Sequence, residues 1–591
     1  MPKLSLLKLI TATDLGRPFR MLISVFICAV ILSAFMNILM LTSPIFMMQI
    51  FDRVLTGRHL ETLILLTLIA AAALMTFGGL DWARNQLMAR IGASIQRDLA
   101  PRVLKASIQN RIRTGADGGQ AMRDLGTVRQ LLGGKTLFPF LDAPWSLIFF
   151  ILLWLIHPWM GIYAVICAVT LMLCAILSNL ASRSLNRKTQ KEQMAAQHWV
   201  DLAVNESEAI SALGMQSSLV QRYLDRLHKL HDGLHRSENR IEIIGSGART
   251  LRQMAQIGIM TVAAYLLLQD ELSQGVVIAS SILLARALAP MELMITQWQP
   301  LLNGLSALKR VMQLLAGYRD DAEKTCPPTP KTRLGIQQMG LRKPDRQGGF
   351  LLRDINIKAE RPEIFGIMGP SGAGKTCLCR ALAGVAVPEL GEIRLDGARL
   401  DQWPADDLGR HIGYMPQDVG LPPASVAETI ARLSQDPDMD KVYAVAQRVE
   451  AHDFIMQLPN GYDTRIGAEG FPLSGGQRQR IGLARALYGD PVMIVLDEPD
   501  AHLDTESAQI LARVIHAEKQ RGAIIFLVSH RPAMLQVTDK LIIMSDGCVT
   551  KQGNSREILT ELKNRSIPPK PELDQTAPSR KSAPAKKTVP A

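Results

Sequence analysis

The sequence predicts two folds in series: an α-helical membrane domain of about six spans, then an α/β domain built on a phosphate-binding loop. Three observations predict this. Apolar stretches long enough to cross a bilayer recur between residues 21 and 288. Basic residues gather in the two long stretches between them and avoid two of the short connectors. From residue 334 onward, short apolar runs alternate with helical periods, and Gly369-Pro-Ser-Gly-Ala-Gly-Lys-Thr376 lies between one such run and a helical pattern.

At 591 residues the chain exceeds what one hydrophobic core supports. A net charge of +12 beside 48% apolar residues points to a lipid bilayer and not to nucleic acid. The seven cysteines form no evenly spaced framework, and Cys377-x-Cys379 lacks the second ligand pair of a zinc site. Residues 1–20 are mixed polar, so a cytoplasmic N-terminal segment is expected there and not a signal peptide.

The membrane domain is expected over residues 21–316. Its runs are 21–50, 62–80, 137–156, 161–180, 253–268 and 275–288, the last interrupted by Arg286. Lys3, Lys8, Arg17 and Arg20 precede the first run, and both long loops are rich in Arg and Lys. The connectors near His157 and near Asp270-Glu271 have neither. The positive-inside rule therefore puts both loops and both termini in the cytoplasm, where ATP is. Helical periodicity persists through both loops, so they read as cytoplasmic hairpins with tips near residues 122–132 and 210–217. Residues 317–333 read as a linker, 334–563 as the α/β domain, and the Pro-, Lys- and Ser-rich residues 564–591 as a disordered basic tail.

The glycines of the phosphate loop let successive N–H groups point inward, and a helix N-terminus adds partial positive charge. Gly369, Pro370, Ser371, Gly372, Ala373, Gly374, Lys375, Thr376 and Cys377 are the expected nucleotide contacts. Lys375 is suited to the β- and γ-phosphates and Thr376 to Mg²⁺. Downstream, the apolar run 492–496 ends in Asp497-Glu498. A buried parallel strand reads this way, and its carboxyl end is where open α/β sheets bind ligands. Asp497 is suited to hold Mg²⁺, and Glu498 to act as general base on the attacking water.

Together with Leu473-Ser-Gly-Gly-Gln-Arg-Gln-Arg480, these motifs resemble those of ATP-binding-cassette (ABC) proteins. The resemblance implies that Ser474, Gly475, Gly476 and Gln477 contact nucleotide, that Gln417 senses Mg²⁺, and that His530 is the switch histidine at the γ-phosphate. It also matches Asp504 to the loop after the catalytic acid and Glu469 to a loop that touches membrane helices. The sequence departs from the family where a tyrosine often stacks on adenine. No tyrosine occurs in residues 341–350; Phe350 substitutes only if its loop folds back, and Lys343 fits the spacing better.

Six spans before one cassette look like an ABC exporter half-transporter. Phe140-Leu-Asp-Ala-Pro-Trp145, His157-Pro-Trp159 and Ala212-Leu-Gly-Met215 resemble type I protein-secretion exporters, in the branch that exports proteases without an N-terminal peptidase-like domain. The implied function is ATP-driven export, across the bacterial inner membrane, of a protein with an uncleaved C-terminal signal. Implied partners are a second copy of the chain, the protein cargo, a periplasmic adaptor and an outer-membrane channel. An exporter of lipids or small hydrophobic molecules is the alternative, and a soluble cassette ATPase is a third reading that the spans oppose.

Overall fold

The structure is a computed structural model and describes residues 16–115, 118–318, 327–331, 333–342, 349–467, 470–501 and 503–565. Glu469, Lys343, most of the expected N-terminal segment and tail, and part of the expected linker lie outside these residues. The chain divides at about residue 319 into a helical unit and an α/β unit.

In the helical unit, α1 (Gly16–Leu39) is followed by α2 (Thr42–Gln49) and a π-helical turn, Ile50–Leu55. Pro44 lies in the first turn of α2, where its missing N–H breaks no hydrogen bond. The next helix, α3 (Leu60–Thr114), has 55 residues. At about 1.5 Å per residue it far exceeds the roughly 30 Å hydrocarbon core. Its first half exposes Leu65, Leu68 and Ile69, a face suited to lipid. Its second half buries Met88, Ile91, Ile95, Leu99 and Val103 at helical spacing.

The first turn is not where the sequence put it. Residues 122–132 lie inside α4 (Gly119–Gly133), which buries Leu125, Val128 and Leu131. The chain reverses earlier because Gly115, at φ +70°, ends α3 in a left-handed cap. Gly92 and Gly133 then let the two helices touch: a Cβ on Gly92 would lie 2.9 Å from Gly133 Cα.

After α5 (Phe138–Asp142) and α6 (Leu147–Ile156), α7 (Pro158–Asn205) and α9 (Gln216–Leu268) flank the short α8 (Ser207–Ala212). The turn there, at Gly214 with φ +65°, lies within residues 210–217. The last helix of the unit is α10 (Gln274–Gly317). Among the described residues, five stretches are long and apolar enough to cross a membrane: Ile23–Leu55, Leu60–Thr114, Lys135–Ile156, Gly245–Leu268 and Gln274–Gly317. Pro158–Cys174 is apolar but shorter.

The α/β unit opens with an antiparallel sheet of β1 (Leu334–Arg342), β2 (Phe350–Ala359), β4 (Leu390–Leu395) and β5 (Ala398–Arg399), in the order β2-β1-β4-β5. The main sheet contains β3 (Ile364–Met368), β6 (Ile412–Met415), β9 (Met493–Asp497), β10 (Ile524–Val528), β11 (Lys540–Ser545) and β12 (Cys548–Asn554). Its order is β12-β11-β3-β10-β9-β6, and β7 (Ala424–Ser425) pairs with β8 (Arg465–Ile466) in a separate sheet. All neighbours in the main sheet are parallel except β11 and β12. β9 and β10 are buried along their whole length, as expected for strands covered on both faces. This order sets β3, β10, β9 and β6 side by side, with their carboxyl ends along one edge.

Candidate functional site

The four candidate chemical elements leave that edge from four adjacent strands. The phosphate loop follows β3, Gln417 follows β6, Asp497 and Glu498 end β9, and His530 follows β10. The parallel register pairs Val528 with Asp497 and Met415 with Leu496, so the loops start level.

The loop conformation depends on its glycines. Gly372 and Gly374 adopt φ of +81° and +95°, and a Cβ on Gly369 would lie 2.3 Å from the Met544 carbonyl oxygen. Gly374 caps α11 (Lys375–Leu382). Lys375 Nζ curls back to donate to the carbonyls of Gly369 at 2.8 Å and Pro370 at 3.1 Å. The residue is 7% exposed, and neutral carbonyls do not balance a buried ammonium, so the loop suits an anion. The thiols beside it are not activated: burial pushes both Cys377 and Cys379 up.

Glu498 has a left-handed φ of +51°, an uncommon conformation for a residue with a side chain. Its N–H donates to the Val528 carbonyl at 3.1 Å. Its Oε2 accepts from Gln417 Nε2 at 3.1 Å, and its Oε1 lies 3.5 Å from His530 Nε2. Gln417, Glu498 and His530 thus meet, although 81 residues separate the first two.

Asp497 is 1% exposed, with the Thr376 hydroxyl beside its carboxyl. Burial pushes its pKa above the ordinary carboxylate range, partly offset by the Thr376 hydroxyl. A buried carboxylate beside the Thr376 hydroxyl is oxygen-donor chemistry that fits a hard divalent cation.

The signature residues form a separate local structure. After α12 (Ala405–His411), α13 (Val426–Ile430), α14 (Met439–Arg448) and α15 (His452–Met456), Ser474 caps α16 (Gly475–Leu487): Gln477 N–H donates to Ser474 Oγ at 3.2 Å, and Ser474 N–H donates to Gln477 Oε1 at 3.0 Å. Gly475 and Gly476 form the first turn, with its N–H groups at the helix start. Among the described residues, no hydrogen bond or ion pair joins residues 474–477 to residues 369–377. Asp504 caps α17 (Thr505–Gln520) by accepting from Ser507 N–H at 2.8 Å. Ser507 Oγ accepts in turn from Arg480 of α16 at 3.0 Å. Phe350 begins β2 with the Arg342 guanidinium 5.4 Å from its ring centre.

Sequence reasoning missed two supports. Gly547, at φ +78°, donates its N–H to the Ala373 carbonyl at 3.2 Å and so buttresses the phosphate loop. Asp546-Gly547 between apolar runs reads as a hairpin turn, but its docking site does not. Ser529 Oγ donates to Asp500 Oδ2 at 2.6 Å, joining the loops of His530 and Glu498. The available signal was weak, namely a hydroxyl and an acid each close in sequence to a candidate residue.

Comparisons with known proteins show the family. The ABC transporter family model matches residues 352–501, and the ABC transporter transmembrane region matches residues 26–291. The type I secretion system ATP-binding protein PrsD of Rhizobium meliloti is 34% identical over 91% of this chain and 92% of its own. The toxin RTX-I translocation ATP-binding protein of Actinobacillus pleuropneumoniae is 28% identical over 91% of this chain and 76% of its own. The α-hemolysin translocation ATP-binding protein HlyB of Proteus vulgaris is also 28% identical, again over 91% of this chain. A bacterial Atm1-family ABC exporter, solved with ATP bound, shares the fold at a TM-score of 0.80 and 20% identity, covering 94% of this chain and 99% of its own. A transmembrane region followed by a nucleotide-binding cassette, with a relative this similar over nearly its full length, shows that the chain belongs to the ABC transporters, among the type I secretion ATP-binding proteins, and couples ATP hydrolysis to transport.

Proposed function

We propose that this chain is the inner-membrane ATPase and permease of a type I secretion system, and that a homodimer of it drives a protein substrate outward. The reading includes an uncleaved C-terminal signal on the cargo, a periplasmic adaptor and an outer-membrane channel. The names of its relatives support secretion, and the positive-inside distribution of Arg and Lys supports cytoplasmic termini.

The observation that carries the catalytic reading is the convergence of Gln417, Glu498 and His530 at adjoining strand ends. Lys375 binds the β- and γ-phosphates of ATP, while Gly369, Pro370, Ser371, Gly372, Ala373 and Gly374 wrap the phosphate chain and Thr376 and Cys377 begin the helix beneath it. Glu498 takes the proton of the attacking water, Gln417 orients that carboxylate, and His530 steadies the γ-phosphate. Asp497, Thr376 and Gln417 would hold Mg²⁺, which when bound neutralises charge that builds on the phosphate oxygens. Ser474, Gly475, Gly476 and Gln477 supply a second, helix-end phosphate site to the partner copy.

Glu498→Gln tests the assignment. It keeps shape and the Gln417 contact but removes the base, so turnover falls roughly 10²–10⁴-fold while a fluorescent ATP analogue still binds. Normal turnover by the purified variant removes Glu498 from the role of base.

A further inference from the structure

His530 is exposed, so packing does not fix where it points. What fixes its peptide is polar. Ser529, fully buried, donates its hydroxyl to Asp500 Oδ2 at 2.6 Å and accepts from the N–H of Arg531 at 3.0 Å. One side chain thereby pins the backbone on both sides of His530. Asp500 is 3% exposed, and its Oδ2 also lies 3.9 Å from Arg531 Nε. It belongs to the turn that holds Glu498: Ala501 N–H donates to the Glu498 carbonyl at 3.2 Å, and Leu503 N–H to the Asp500 carbonyl at 3.3 Å.

We propose that Asp500 and Ser529 form a clasp that positions His530 against Glu498, making both positioning residues for ATP hydrolysis. The proposal rests on the catalytic reading of Glu498 and His530 above. Burying a carboxylate is costly, and a turn of this kind closes through its own backbone hydrogen bonds without one. The short bond to a carboxylate is the strong kind, and it spans the two loops whose separation the chemistry needs. If the clasp opens, the 3.5 Å spacing between His530 and Glu498 is no longer held from the His530 side. Displacing a reacting group by about an ångström costs around a hundredfold in rate, and most of that loss falls on turnover because Lys375 and the phosphate loop still bind ATP.

The test uses the full-length protein in lipid nanodiscs, with kcat and KM for ATP measured for Ser529→Ala, Asp500→Ala, the double variant and Asp500→Asn. The clasp predicts a roughly ten- to hundred-fold loss in kcat for each alanine variant and KM within about threefold of wild type. It predicts no further loss in the double variant, and recovery in Asp500→Asn, whose amide oxygen accepts the same bond. Adding Ser529→Ala to His530→Ala should cost nothing more, because the clasp acts only through His530. A further loss in that background, or KM and kcat failing together, shows a general structural role and overturns the proposal. If Asp500→Ala does not fold, the near-isosteric Ser529→Ala gives the same reading. Glu498→Gln and His530→Ala serve as references. Full turnover in those two overturns the catalytic reading itself; impaired turnover in them with normal Ser529→Ala overturns the clasp alone.

Discussion

On the proposed reading, Asp497 trades stability for chemistry. Its carboxyl is buried, and burial raises its pKa, with the Thr376 hydroxyl offsetting part of the rise. Between its unfolded and folded pKa values the folded state holds the extra proton, so stability falls as pH rises through that window and stays lowered above it. Asp497→Asn should therefore raise the apparent Tm of metal-free protein at neutral pH, by the equivalent of about 1–3 kcal/mol, while abolishing Mg²⁺-dependent turnover. The gain should shrink as pH falls towards the ordinary carboxylate range. Thermal unfolding with and without Mg²⁺ checks both halves; an unchanged or lower Tm contradicts the assignment. Lys375 gives a second test at this scale, because its ammonium orders the loop and, on the proposed reading, meets the phosphates. Lys375→Ala should weaken ATP binding at least tenfold, the loss expected when a charge-assisted contact is removed, yet leave the protein in the membrane. Equilibrium binding of a fluorescent ATP analogue to purified membranes measures it.

Among the elements, the membrane helices are held by a few buried polar contacts. Arg84 of α3 donates to Ser33 of α1 at 3.0 Å and to Asp142 of α5 at 2.9 Å, pairs with Asp81 at 3.1 Å, and lies 4.3 Å from the Phe138 ring centre. The motif around Asp142 therefore has a physical function that its sequence did not disclose: it receives the charge of a buried arginine. Removing one partner of a buried pair costs about 3–5 kcal/mol, and Asp142 is a quarter exposed, which favours the lower figure. Arg84→Ala should lower the amount of folded protein in the membrane and its Tm. Arg84→Met with Asp142→Leu should recover part of both, because no charge is then left facing Asp142's place, while Asp81 is 42% exposed and keeps its hydrogen bond from Asn85. Quantitative immunoblotting and detergent-solubilised melting curves distinguish the two. No recovery means that the arginine acts through more than this pair.

At the level of the whole molecule, the signature helix and the phosphate loop of one chain are not joined, and each is intact. A symmetric dimer that pairs each with its counterpart needs no second gene product. Mixed dimers of defined composition test this. A Lys375→Ala chain paired with a Ser474→Arg chain places both lesions in one shared site and leaves the other whole. A wild-type chain paired with a doubly altered chain spoils both. Shared sites predict ATP trapping in the first pairing at about half the wild-type level and little in the second. The opposite pattern shows sites complete within one chain.

How much was readable in advance follows from range. The phosphate loop and the Asp497-Glu498 strand end are local: glycine at positive φ and a buried apolar strand each act within a few residues, so their sequence suffices. The membrane spans were legible because lipid imposes a length and forbids charge. The first hairpin turn was misplaced because amphipathic residues 122–132 suit a surface helix and a loop tip alike, while Gly115 decided where the chain reversed. Tertiary structure alone decided the rest. Strand order brought Gln417 to Glu498, the Asp500–Ser529 bond closed between two loops, and Asp52 came to accept from Ser273 Oγ at 2.7 Å and Gly275 N–H at 2.8 Å, capping α10 from 221 residues before Ser273. Such contacts depend on which strands and helices become neighbours. Neighbourhood is set by packing the whole core, and no local pattern of residues records it.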